Sequence, residues 1–132
     1  MSDLFEQAGD VDVGSRLDAV AAVLSRYRFR FTDEDDLQKG IAAALQANGL
    51  AFHREESLSA RDRPDFLLDG GLAIEVKIKG SLSELLRQAA RYLEHEEIRA
   101  VLVVGSPGWL NRIPETMQGK PLRPLRLIGS LL

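Results

Sequence analysis

The stretch Pro64-Asp65-Phe66-Leu67-Leu68-Asp69-Gly70-Gly71-Leu72-Ala73-Ile74-Glu75-Val76-Lys77-Ile78-Lys79 decides how this chain folds. Asp69-Gly70-Gly71 is a hairpin signal, because glycine enters the left-handed conformations of tight turns without a Cβ penalty. It separates two β-forming runs, residues 65–68 and 72–79. Side chains alternate along a strand. Ile74, Val76 and Ile78 therefore face one side of the second run, and Glu75, Lys77 and Lys79 the other. A strand in a helix-covered sheet is normally apolar on both faces. Charges on one face then mark a solvated edge, or a site whose groups need partners.

The Asp-Gly-Gly connection admits two registers. A two-residue Gly70-Gly71 loop pairs Asp65 with Val76. A three-residue turn pairs residue 68 with 72, and hence Asp65 with Glu75. Three-residue hairpins with a left-handed glycine are common, and this register sets two carboxylates side by side on one face. Left alone they repel each other. A divalent cation between them removes that cost, and hard oxygen ligands suit Mg²⁺ or Mn²⁺.

On the N-terminal side, Leu17, Val20, Ala21 and Leu24 recur at helical spacing, which predicts a short amphipathic helix over about 15–26. Tyr27-Arg28-Phe29-Arg30-Phe31 alternates aromatic with basic residues and reads as extended. That pattern is either a surface for nucleic acid or a segment packing its rings on the core. Thr32 is a candidate N-cap for a second helix, with Asp35 able to bond back to it and Asp33 to Asp36 suiting the positive dipole end. Leu37, Ile41, Ala44 and Leu45 form its apolar stripe, and Asn48-Gly49 ends it.

A first strand is expected over Ala51–Ser57. Beyond the hairpin, Leu82–Glu94 is helical, with Leu82, Leu85, Leu86, Ala89 and Leu93 on one side. Ile98–Val104 is a continuous apolar run of buried-strand length, broken by Gly105-Ser106-Pro107-Gly108. The tail from Leu122 to Leu132 has room for another strand, interrupted by Pro124. The order helix, three strands, helix, strand implies an α/β domain with a mixed central sheet flanked by helices. We divide the chain into an N-terminal extension with a short helix, residues 1–31, and a domain over 32–132. Residues 1–12 are polar, acidic and expected to fray.

Composition bounds the chemistry. At 132 residues there is material for one core. The 45% apolar and 28% charged content is that of a soluble globular protein. With no cysteine there is no disulfide, thiolate zinc site or thiol nucleophile. His53 and His95 are too few for a histidine-based metal centre. No apolar run approaches the roughly 20 residues of a membrane span, and the basic-then-apolar order of a secretory signal is missing. We expect a cytoplasmic protein with no membrane association. The net charge of −3 is uneven: residues 1–36 carry 9 acids and 4 bases, and the remainder 11 acids and 13 bases. Most of the chain is thus mildly basic, and the acidity sits in its first quarter.

Pro64-Asp65, followed after nine residues by Glu75-Val76-Lys77, resembles the signature of the PD-(D/E)XK nuclease superfamily. That family's core is a helix, a three-stranded meander, a helix and a further strand, the order read above. Gln88-Ala89-Ala90-Arg91-Tyr92 resembles the Gln-x-x-x-Tyr element of the RecB-like and lambda-exonuclease-like branches. Its two polar residues share a helix face. Glu34 resembles the first-helix glutamate that many members add to their metal site. It also suits the helix dipole as a first-turn acid, and Asp33, Asp35 and Asp36 are nearby substitutes. The resemblance spans about residues 34–104.

It implies a restriction-endonuclease-like αβββαβ core and metal-dependent hydrolysis of DNA phosphodiester bonds. Asp65, Glu75 and the Val76 carbonyl would hold Mg²⁺ or Mn²⁺, with Glu34 joining through water. Lys77 would stabilise the transition state, since acting as a base would need a depressed pKa that neighbouring anions oppose. Gln88 and Tyr92 would reach the ligands or a DNA phosphate. Lys79, Arg61, Arg87 and Arg91 are candidate phosphate contacts. His53, His95 and Trp109 carry no motif and read as structural. Two alternatives stand beside this one. The first is a catalytically silent nucleic-acid-binding or interaction module of the same fold. The second is a dimeric Holliday-junction-resolvase-like endonuclease, which makes a homodimer possible.

Overall fold

The computed structural model describes residues 13–128. Residues 1–12, expected to fray, and 129–132 lie outside that range. The elements in chain order are α1 (Val13–Ser25), α2 (Glu34–Ala47), β1 (Phe52–Arg54), β2 (Phe66–Leu68), β3 (Leu72–Lys77), α3 (Leu82–Glu94), β4 (Ala100–Gly105), a short 3₁₀ helix (Gly108–Arg112), β5 (Thr116–Met117) and β6 (Lys120–Arg126). The strands form one mixed sheet in the order β1-β2-β3-β4-β6-β5. β1, β2 and β3 make an antiparallel meander, β4 lies parallel to β3, and β6 parallel to β4. The chain is therefore a three-layer mixed α/β domain. No helix among the described residues is long and apolar enough to cross a membrane.

Alternation along the central strands builds the layers. Leu72, Ile74 and Val76 of β3, with Ala100, Leu102 and Val104 of β4, pack against α1 and α2. Ala73, Val101 and Val103 face the other way, onto Leu85, Ala89, Tyr92 and Leu93 of α3. Leu17 and Leu24 of α1 are fully buried in the first cluster, so the segment read as an extension contributes a helix to the domain's own core.

The second helix starts one residue later than its composition implies. Asp33, not Thr32, is the N-cap, and its side chain accepts from the Asp36 amide. Asp36 in turn accepts from the Thr32 hydroxyl at 2.7 Å and from its amide. This is half of a capping box: the N3 side chain reaches back past the N-cap to Thr32, and the cap falls on Asp33 because Asp caps as well as Thr.

β6 runs through Pro124, contrary to the expected interruption. Strand amides alternate in direction, and the Leu122 amide bonds to the Glu115 carbonyl on the β5 side. The nitrogen of Pro124 therefore points to that same side, past the last β5 pair at Pro121. A missing N–H costs nothing there. β1 is shorter than expected: Glu55 takes a left-handed φ of 53° and ends the strand.

Candidate active site

The hairpin places the first two residues. Leu68 pairs with Leu72 and Phe66 with Ile74, so the turn is the three-residue one and Asp65 falls opposite Glu75. Gly70 and Gly71 supply its positive φ values, 83° and 78°. A Cβ on Gly71 would also collide with the Glu97 carbonyl. Asp65 is then pinned at both ends: its Oδ2 accepts from the Val76 amide at 2.7 Å, and its carbonyl accepts from the Glu55 amide.

Glu75 sits on the α3 side of the sheet and is only 4% exposed. Its Oε1 accepts a 2.9 Å hydrogen bond from the Tyr92 hydroxyl. Its Oε2 lies 3.4 Å from Lys77 Nζ. Gln88 donates to the same Tyr92 oxygen at 3.0 Å. A chain of contacts thus runs from the α3 surface through Gln88 and Tyr92 to Glu75. The end of β3 that carries Lys77 lies close against β4 because its partner there is Gly105: a Cβ at that position would overlap the Lys77 carbonyl.

The electrostatics follow from this burial. Desolvation, chiefly, and then the charge of Asp65 push the Glu75 carboxyl well above its ordinary value, against the opposing pull of Lys77 and Tyr92. Desolvation also raises Asp65, offset by the Val76 amide and reinforced by Glu34 and Glu55. Burial next to Glu75 raises Tyr92, which keeps its hydroxyl a donor. Two carboxyls held across a gap in low dielectric make a site that favours a proton or a cation over bare charge.

Hard oxygen donors of this kind suit a small divalent cation. The donors brought together are Asp65 and Glu75, with the Val76 main chain between the strands. Glu34 is near enough for its charge to act on Asp65. Among the described residues, however, no three acids or histidines gather at metal-binding spacing, so Glu34 does not close a three-carboxylate set.

A clamp that sequence reading missed holds the loop carrying Asp65. Asp62, 6% exposed, accepts from Arg91 Nε at 3.0 Å and lies 3.0 Å from His95 Nε2. His95, followed by Arg91, holds the Asp62 carboxyl below its usual range. Tyr92 also reaches the Arg63 carbonyl at 3.3 Å. Gln88, Arg91 and Tyr92 recur at i, i+3 and i+4 on α3 and His95 is its C-cap, so one polar edge of the helix grips both Glu75 and the loop. That spacing was the available signal. Trp109 donates to the Gly80 carbonyl and His95 serves Asp62 and Glu97, both structural tasks. His53 is exposed on β1.

Comparison with protein-family models, with curated proteins and with solved structures gives no match to this chain. The functional argument therefore rests on the site itself.

Proposed function

We propose that this chain is a Mg²⁺-dependent nuclease hydrolysing DNA phosphodiester bonds, built on a restriction-endonuclease-like core of the PD-(D/E)XK kind. The observation that carries the reading is the cross-strand Asp65–Glu75 pair with the Lys77 ammonium 3.4 Å from one carboxylate oxygen. The order α2, β1–β3, α3, β4, with β4 parallel to β3, supports it. So does a cleft of about 330 Å³ beside Lys77, bordered by Lys79, Ser81, Arg87, Gln88 and Arg91, with Glu84 as its single acid.

Asp65, Glu75 and the Val76 carbonyl would hold the cation, with Glu34 joining through water. When bound, it would supply a Lewis acid that activates water and neutralises phosphate charge. Lys77 faces the place where charge develops on the phosphate and stabilises it there. Tyr92 and Gln88 are positioning residues: they fix the Glu75 rotamer through the hydroxyl that Glu75 accepts from. Arg87 and Lys79, exposed and without ion-pair partners among the described residues, are placed to hold the DNA backbone along the cleft.

The test is cleavage of linear, circular and branched DNA with Mg²⁺ or Mn²⁺. Glu75→Ala and Lys77→Ala, each verified as folded, are expected to lose on the order of a hundredfold or more in rate. Wild-type protein that binds no divalent cation and cuts no form of DNA overturns the proposal.

A further inference from the structure

The alternating segment after α1 has no part in the site just described. The Tyr27 and Phe29 rings stack with centroids 5.8 Å apart. Phe29 is buried against Gly40 of α2, and Phe31 packs partly on the same core. This settles one half of the pattern: Phe29 and Phe31 face the protein, and Tyr27 stacks at their outer edge. Arg26, Arg28 and Arg30 consequently all project to solvent. None of their three side chains makes an ion pair or hydrogen bond with another described residue, although the Arg26 amide bonds to the Val23 carbonyl at the end of α1. They are three of only four bases in the first 36 residues, so this face is cationic against an acidic local background.

Arg28 and Arg30 flank the buried Phe29 and are both exposed; two residues apart, their Cα atoms lie within about 7 Å of each other. Tyr27 is 39% exposed, and its hydroxyl is fixed by the Asn48 side chain at 2.8 Å, so its ring stays in place as a partly open aromatic surface. In the chain these arginines come just before Glu34. From Arg30 to Glu34 the chain spans at most about 14 Å, and the charge of Glu34 is felt by Asp65. Beyond Arg30 the surface turns acidic, with Asp33, Glu34, Asp35 and Asp36 at the start of α2.

We infer that residues 26–30 form a binding surface for single-stranded nucleic acid. The arginines pair with successive phosphates, and Tyr27 stacks on a base. A stiff ring beside a row of guanidinium groups suits a strand whose bases are unstacked and available. An acidic polypeptide would use the charges and leave the ring without a role. The inference goes beyond the nuclease reading and does not need it, because binding is measured without metal or cleavage. Loss of this surface leaves the nuclease reading standing, and failure of hydrolysis leaves this surface standing.

The experiment is fluorescence anisotropy of the full chain with a labelled oligothymidylate, an oligouridylate and a DNA duplex of equal length, in EDTA, at about 50 and 200 mM salt. Wild type is expected to bind the single strands in preference to the duplex, the tighter of the two naming the sugar. Arg28→Gln combined with Arg30→Gln is expected to weaken binding and to flatten the log–log salt slope by about 1.4, about 0.7 per lost phosphate contact. Tyr27→Leu is expected to weaken binding about fivefold or more while leaving the slope unchanged. Lys39→Gln, which removes a cation already paired with Asp35 at 3.1 Å, is expected to change little. The inference is overturned if the double arginine variant matches wild type in affinity and slope. It is also overturned if Lys39→Gln costs as much per charge, or if the duplex binds as tightly with the same arginine dependence.

Discussion

Replacing Glu75 by Gln should make the protein without metal more stable at alkaline pH, and the size of the gain follows from the burial of that carboxyl. Glu75 is raised from an ordinary 4.5 to about 8. Between those two values the folded chain holds a proton that the unfolded chain has released. Stability therefore falls as pH rises through that window and levels off above it. At about 1.4 kcal/mol per pKa unit, the loss between pH 5 and pH 9 is about 4 kcal/mol at most. Asp65 titrates across the same gap and shares part of this penalty, so about 2–4 kcal/mol belongs to Glu75. Gln keeps the shape and the acceptor for Tyr92 but carries no charge, and its stability curve should lack this fall. Urea unfolding of both proteins in EDTA across pH 5 to 9 measures the difference for the Asp65–Glu75 pair, since titrating groups remote from it cancel. Millimolar Mg²⁺ at the alkaline end should restore on the order of 1 kcal/mol to wild type and nothing to the variant. Parallel curves for the two proteins, within about 0.5 kcal/mol over the whole range, would refute the account of Glu75 as a buried, uncompensated acid.

Three further outcomes are expected. Tyr92→Phe leaves Glu75 Oε1 and the Gln88 amide without their shared partner; it should cost about 1.5–3 kcal/mol by urea denaturation and move the Glu75 window to higher pH, because the lost hydrogen bond had lowered it. Asp62→Asn removes the anion that Arg91 and His95 share. A loss of about 1.5–3 kcal/mol is expected, with faster proteolysis in the loop over residues 55–65, and an unchanged cleavage pattern would contradict the clamp. Gly105→Ala forces a methyl group onto the Lys77 carbonyl, so β3 and β4 must part there; a thermal shift should report about 1–3 kcal/mol or more, together with weakened divalent binding if Lys77 and Glu75 move.

Local signals were enough for much of the site. Asp69-Gly70-Gly71 marked the turn and narrowed the pairing to two registers; the observed one puts Asp65 opposite Glu75, and because side-chain facing has a period of two a one-residue slip would reverse it. Helical periodicity marked α3 at both ends, Leu82 and Glu94, and its four-residue spacing put Gln88 and Tyr92 on one face. The N-cap of α2 was displaced by one residue because Thr32, Asp33 and Asp36 all have capping chemistry, and only backbone geometry chooses among them. Asp62 was missed because Arg61-Asp62-Arg63 reads as a solvated polar run. Its partners lie 29 and 33 residues away.

The amino-acid sequence by itself therefore determined which residues share a strand face, a turn or a helix face, since those relations depend on fixed local periods. Glu75 and Lys77 belong to that class, and Asp65 joined them once the strand pairing chose between the two registers. Tertiary structure alone decided that β6 passes Pro124 to lie parallel to β4, that α1 joins the core, and that α3 lies over Glu75 rather than beside it. These pairings close long loops, and the free energy of closing them depends on the packing of whole layers rather than on any short run of residues. The depth of the site belongs there too. A Glu-x-Lys alternation is the same on a wet edge as in a buried sheet, and only the helix packed above it makes Glu75 an acid that favours a proton or a cation.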